Sequence, residues 1–395
     1  VTDRRNESGD LVAGRLPIAA PTLPALDTVL GRLRDIWSSG VLTNGRTVAE
    51  FEATIAERLP DRHVIAVNSC TAGLMLALRA MDVRGEVLLP SFTFTATAHA
   101  VVWNGCTPVW VDCDPDTFNI DIDDLQRKIT SSTRAIVAVY VSGNPPRIAE
   151  LEEIARQHGL KLILDAAHAL GSKVRGTPAG CFGDAEVFSL SPTKTITTCE
   201  GGLLSVRDPE VARRLRIGRN YANPGNYDSE FIGLNARMSE IHALVGLASL
   251  PALDANIAER QRLVAAYEGS LRRVPGIRLQ HVAAGDESAC KDFSVRIVAG
   301  AFGADRDTVR HALTEAGIET RTYFDPPVHR QTAYRAWRLG SGGLPHTDTV
   351  AAEVLNLPLF VGLSDRDIER VVQCLLDVRR GATERVGKKP AHAAV

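Results

Sequence analysis

RAIVAVYVSGNPPRIAELEEIARQHGLKLILD, residues 134–165, decides the fold. It opens on an apolar run rich in β-branched residues, RAIVAVYV (134–141), which reads as a strand. Turn residues follow, and IAELEEIARQHG (148–159) has the apolar spacing of an amphipathic helix closed by Gly159. LKLIL (160–164) is apolar again and reads as a second strand. Two strands joined through a helix pair in parallel, because a tight turn can only join antiparallel neighbours.

Working outward, the same alternation recurs. HVIAV (63–67), EVLLP (86–90), TPVWVD (107–112), AEVFSL (185–190) and GLLSV (202–206) are further strands. After HVIAV, the residues Asn68, Ser69 and Thr71 offer caps for a helix whose apolar face is Leu74, Ala77, Leu78 and Met81. Short Val-, Ile- and Leu-rich strands are those covered by helices on both faces. The pattern therefore predicts an α/β fold: a three-layer α/β/α large domain with a mostly parallel sheet. Helical periods run on after Asn235, interrupted near Pro251, towards a smaller C-terminal α+β domain. In that part KDFSVRIV (291–298) reads as a strand, and DRDTVRHALTEAG (305–317) and DRDIERVVQCLLDVRR (365–380) read as helices. The expected division is a loose segment 1–15, a large domain 16–250, a small domain 251–380 and a loose tail 381–395.

Composition narrows the function classes. Lys plus Arg total 45 against 47 for Asp plus Glu, which argues against nucleic-acid binding driven by phosphate neutralisation. The seven cysteines are odd in number and form no C-x-x-C pair, so free thiols are expected, with neither a zinc site nor a disulfide framework. No run is expected to supply the ~18 consecutive apolar residues of a membrane helix. The opening residues hold no apolar signal core, so a cytoplasmic location is expected.

In parallel α/β sheets ligands bind beyond the carboxyl ends of the strands. Those positions carry the chemistry. After HVIAV comes NSCTAG, a helix start whose amides suit an anion, or an ordinary capped helix. After EVLLP come Phe92 and Phe94, either core residues or a platform for a flat ring. After LKLIL comes Asp165, a helix cap or a functional acid, with His168 three residues on. After AEVFSL comes SPTK, which brings Ser189 and Lys194; a lysine taken alone is usually solvated. Together, an anion site, an aromatic ring, an acid and an amine match the needs of pyridoxal phosphate.

These residues resemble the DegT/DnrJ/EryC/StrS sugar aminotransferases, which are fold-type I, aspartate-aminotransferase-like enzymes dependent on pyridoxal 5'-phosphate. The resemblance runs from about Leu16 to Val378. SCTAGLMLAL (69–78), PSFTFTATAHAV (90–101), LDAAHALGS (164–172), FSLSPTK (188–194), EGG (200–202) and GLNARMSEIHA (233–243) align with family motifs. It implies that Lys194 forms the Schiff base with the cofactor, that Asp165 faces the pyridine nitrogen, and that His168 lies near the ring hydroxyl. Phe94 would stack on the ring, and Thr71, Ala72 and Ser189 would hold the phosphate. Asn235 would reach the phosphate from the other subunit of a homodimer with shared active sites. Arg219, Tyr221, Arg321, Tyr323 and His329 are the candidate substrate contacts. Cys70 stands where the family often has glycine, and a regular local backbone is expected there.

The activity implied is transfer of an amino group from L-glutamate to a nucleotide-linked keto sugar, with pyridoxamine 5'-phosphate as the intermediate form of the cofactor. The leaning is to a dTDP-4-keto-6-deoxyhexose aminated at carbon 4, in deoxyaminosugar and antibiotic biosynthesis. SPTK, by contrast, resembles the carbon-3 branch. A cofactor-binding regulatory or sensor homologue without turnover is the non-enzymatic alternative. Dehydratase relatives carry histidine in place of the lysine, and Lys194 speaks against that reaction.

Overall fold

A computed structural model describes residues 14–337 and 342–387. Seven strands form the main sheet: β1 (His63–Val67), β2 (Glu86–Pro90), β3 (Thr107–Val111), β4 (Thr133–Val139), β5 (Lys161–Asp165), β8 (Ala185–Ser189) and β9 (Gly202–Val206). A two-stranded hairpin, β6 (Lys173–Val174) and β7 (Thr177–Pro178), lies between β5 and β8 in the chain. The spatial order of the large sheet is β1-β9-β8-β5-β4-β2-β3. β4 and β5 pair in parallel, Ala135 opposite Lys161 through Val139 opposite Asp165, with the helix Ile148–His158 as their connection. Gly159 closes that helix at φ 63°, a left-handed value that glycine adopts without strain.

β9 departs from the parallel pattern. It runs antiparallel to both β1 and β8. The chain between Ser189 and Gly202 contains no helix, so it cannot make the crossover that a parallel neighbour needs. β4 also ends earlier than its apolar run, because Val141–Gly143 form a 3-10 turn.

Both faces of the large sheet are buried. Val64, Ala66, Leu88, Ile136, Ala138, Leu162, Leu164 and Phe188 belong to the core on one face. Ile65, Val67, Val87, Leu89, Val137, Ile163 and Val187 belong to the core on the other. Alternation with a period of two is how a strand serves two cores at once.

A second, antiparallel sheet consists of β10 (Ile277–Leu279), β11 (Phe293–Ile297) and β12 (Val354–Leu357), with β11 central. Its core includes Leu263 and Tyr267 from the helix Leu253–Leu271 and Val371 and Leu375 from the helix Asp365–Gly387. Leu16 and Ala20 also pack there, and Leu16 bridges to Ile318. The last helix reaches Gly387 rather than ending near Arg380, since one glycine inside a helix costs only about 1 kcal/mol. Residues 1–13 and 388–395, the bulk of the segments expected to be loose, lie outside the described residues.

One stretch, Glu240–Leu271, is long and apolar enough by composition to cross a membrane, contrary to the expectation from the sequence. It is broken by the turn Leu250–Ala252, and Ala243, Leu250, Leu253 and Ile257 are spent on the core beside the sheet. All seven cysteines are unpaired.

Candidate active site

The carboxyl ends of β1, β5 and β8 open onto one cavity of about 340 Å³. Thr71, Phe94, Asp165, His168, Ser189, Lys194 and Tyr323, all singled out in the sequence, line it together.

The helix Cys70–Ala80 starts at the cavity wall. Ser69 Oγ accepts from the amide of Ala72 at 3.1 Å, so Ala72 serves the cap through its backbone. The amides of Cys70 and Thr71, in the first turn, have no intrahelical acceptor and suit an anion. Cys70 has ordinary helical backbone, and its Sγ points at the carbonyl of Val187, 3.6 Å away. The thiol therefore packs, as expected. Gly202 of β9 presses against this helix start: a Cβ there would stand 2.6 Å from the Cys70 nitrogen.

Asp165 is the last residue of β5 and is 5% exposed. Its Oδ2 accepts from Thr97 Oγ1 at 2.7 Å and its Oδ1 from the Ala167 amide at 3.1 Å. Burial raises its pKa, opposed by these two hydrogen bonds and by the charge of Lys194. Lys194 follows β8 in the turn after Ser189, and its ammonium has no hydrogen-bond or ion-pair partner among the described residues. Burial, and then the charge of Lys291, lower its pKa from 10.5 to about 8. Burial, followed by the charge of Lys194, also drives the His168 imidazole well below its usual value, so that ring is neutral.

Lys291 and Asp292 were not singled out as site residues. They were absorbed into the apparent strand KDFSVRIV, but β11 begins only at Phe293. Lys291 Nζ and Asp292 Oδ1 lie 2.6 Å apart, and both side chains are buried at the cavity wall. Asp292 Oδ2 also stands 3.7 Å from His168 Nδ1. Burial pushes the Asp292 carboxyl up, but the charge of Lys291, its hydrogen bond and the charge of Lys194 override this and hold the pKa at about 2. Thr97 is a third site residue that sequence reasoning missed; its place one helical turn from Thr93 gave no sign of a partner 68 residues on.

Six candidates do not line this cavity: Ala72, whose amide serves the cap, and five others. Arg219 is buried beneath β1, ion-paired with Glu52 and donating to the Ala66 carbonyl at 2.7 Å, so its charge is spent on the fold. His329 is likewise enclosed, between Ser91 Oγ at 2.7 Å and Asp348 at 3.2 Å. Tyr221 is exposed under the Arg237 guanidinium. Arg321 pairs with Glu319 beside Tyr323. Asn235 is exposed, and its Oδ1 accepts from Arg237 at 3.1 Å.

The model of the DegT/DnrJ/EryC1/StrS aminotransferase family matches residues 27–376. The chain belongs to that family. It is 37% identical over 368 residues to GDP-perosamine synthase of Caulobacter vibrioides, covering 91% of this chain and 97% of that one. It is 33% identical over 366 residues to the dTDP-4-amino-4,6-dideoxy-D-glucose transaminase of Escherichia coli, covering 91% and 98%. Among solved structures, DesI in the presence of its TDP-sugar product superposes with a TM-score of 0.89 at 38% identity, covering 96% of this chain and 97% of that one. Other relatives are named for 3-amino sugars. This aminotransferase is accordingly a PLP-dependent enzyme of the sugar-nucleotide class. The residues present fit the cofactor: an amine without a hydrogen-bond or ion-pair partner among the described residues, a buried acid, open amides at a helix start and an exposed aromatic ring share one cavity.

Proposed function

We propose that this enzyme moves the amino group of L-glutamate to carbon 4 of a dTDP-linked 4-keto-6-deoxyhexose, in the cytoplasm, as a step towards a deoxyaminosugar. The observation that carries the reaction class is the unpartnered Lys194 amine in one cavity with buried Asp165. Support for carbon 4 comes from the DAAHALG and EGG segments, which resemble those of the carbon-4 branch of the family, and from the relative named for a 4-amino sugar. SPTK and the relatives named for 3-amino sugars favour a second reading, amination at carbon 3.

Bound pyridoxal phosphate supplies an electron-poor ring that takes up the electron pair left when a C–H bond next to nitrogen breaks. The chain supplies the rest. Lys194 Nζ, its pKa lowered by burial to about 8, removes the proton from the donor's α-carbon and delivers it to the cofactor side. Asp165 stabilises positive charge on the ring nitrogen, because its carboxylate is buried and its two other contacts leave it able to face a cation. The Cys70 and Thr71 amides and the Ser189 hydroxyl hold the phosphate, and Phe94, 60% exposed in the cavity mouth, covers the ring. Neutral His168 hydrogen-bonds the ring hydroxyl. Tyr323 also lines the cavity and is a candidate contact for the substrate.

The working unit in this reading is a homodimer. Two features support it. Leu26, Leu30 and Trp37 on the helix Leu26–Ser39 are exposed, as are Val41, Leu42 and Ile232. Apolar side chains in such number on a surface mark a contact face. Asn235 sits outside its own cavity, in the same region of chain as Ile232.

Purified enzyme is incubated with L-glutamate and a panel of dTDP-, GDP- and UDP-linked 4-keto and 3-keto sugars, and the products are read by mass spectrometry and NMR. A 4-amino sugar from a dTDP substrate, with 2-oxoglutarate released, is the expected result. A 3-amino product supports the second reading. Cofactor binding without donor consumption identifies a sensor and overturns both.

A further inference from the structure

We infer that Lys291 is the residue that binds the α-carboxylate of the amino donor, and so sets the donor's half-saturation separately from that of the sugar. This rests on the proposed use of an amino-acid donor.

An amino acid brings a carboxylate to the carbon that must lose its proton. A buried carboxylate needs a paired cation. Among the described residues lining the cavity, the cationic side chains are Lys194 and Lys291, because His168 is held neutral. Lys194 is committed to the cofactor and the proton. Lys291 is therefore the remaining fixed cation this chain offers.

Its geometry suits the task. The Lys291 ammonium has three N–H donors and a single acceptor, Asp292 Oδ1 at 2.6 Å. Two donors are left to fill in a side chain only 7% exposed, which is costly unless a ligand supplies acceptors. The backbone beneath is fixed on both sides. The Lys291 amide donates to the Ser142 carbonyl at 2.9 Å, and the Lys291 carbonyl accepts from Arg260 at 3.2 Å. The stem is thus anchored while the head faces the cavity. Lys291 and Lys194 line the same cavity. A carboxylate one bond from the reacting carbon belongs near both. Asp292 holds Lys291 in place between turnovers and remains beside His168 when a carboxylate takes its share of the ammonium.

The test separates the half-reactions in stopped flow, following the cofactor's absorbance. Lys291→Met is expected to raise the half-saturation for L-glutamate about ten- to hundredfold, the worth of a charge-assisted hydrogen bond. L-Alanine, which has the α-carboxylate but no side-chain carboxylate, should lose by a similar factor. Half-saturation for the amino-sugar product in the reverse direction should move at least roughly tenfold less than that. Lys291→Arg, which keeps the charge and does not leave Asp292 buried alone, should retain most of the donor affinity. Calorimetry adds a readout without turnover: propionate, a carboxylate without an amine, binds the wild-type holoenzyme more tightly than the Met variant. Equal losses for donor and sugar, or a loss for glutamate but not alanine, would overturn the assignment. If the wild-type enzyme consumes no amino acid at all, the proposed function fails instead.

Discussion

Lys194 shows how an ordinary side chain becomes a reactive one. Burial in a cavity, with a second ammonium nearby and no hydrogen bond of its own, lowers its pKa from 10.5 to about 8. Only the neutral amine attacks an aldehyde, so protonation switches the reaction off. The sign follows directly. The rate at which cofactor-free enzyme combines with pyridoxal phosphate rises about tenfold per pH unit up to about 8 and flattens above it. Stopped-flow absorbance of the reconstitution measures this, and a break near 10.5 would show an amine that the fold has not tuned. Lys194→Ala abolishes transamination while the protein keeps its secondary structure, checked by donor consumption and circular dichroism. Asp165 stood out in the sequence because it closes an apolar strand, where a charge is hard to explain away, and Lys194 only in combination with it and the other strand-end residues. Lys291 and Asp292 did not, because two charges ahead of an apolar run look like the solvated start of a strand. Arg219 differs in the opposite sense: it was a candidate substrate contact, yet Glu52 and the Ala66 carbonyl draw its guanidinium inward.

At the scale of elements, the phosphate cradle depends on how closely β9 meets the helix Cys70–Ala80. Gly202 has no positive φ, so its requirement is one of space rather than backbone freedom. A Cβ there would meet the Cys70 nitrogen at 2.6 Å and the Ser69 carbonyl carbon at 2.7 Å, atoms that cannot rotate away. Gly202→Ala therefore displaces the helix start and costs about 1–3 kcal/mol of stability. Its cofactor affinity falls as well, because the amides of Cys70 and Thr71 move with the helix. Denaturant unfolding and a cofactor titration test the two halves, and unchanged cofactor affinity would mean that this helix start does not hold the phosphate. The EGG motif was visible in the sequence, but its reason was not, since the contact joins residues far apart in the chain. The alternation of strands and helices was legible throughout the sheet. The direction of β9 was legible in principle, as its connection from β8 has no helix to carry a parallel crossover.

On the scale of the molecule, the open question is whether one chain completes its own site. Asn235 is exposed, outside the cavity, and held by Arg237, while Leu26, Trp37 and Ile232 leave apolar surface uncovered. A two-fold dimer buries such a face and brings the same segment of each chain towards the other. If Asn235 serves the partner's cofactor, then Lys194→Ala and Asn235→Ala each damage a different half of one composite site. Co-expressed in equal amounts, the two variants form about half mixed dimers. In each mixed dimer one site has both defects and the other has neither. The mixture then recovers about a quarter of the wild-type rate, although each variant alone is nearly inactive. Sites built from a single chain give no such recovery, because every site keeps one of the two lesions. Glutamate consumption by the mixture, compared with the separate variants at equal total protein, decides between the two arrangements.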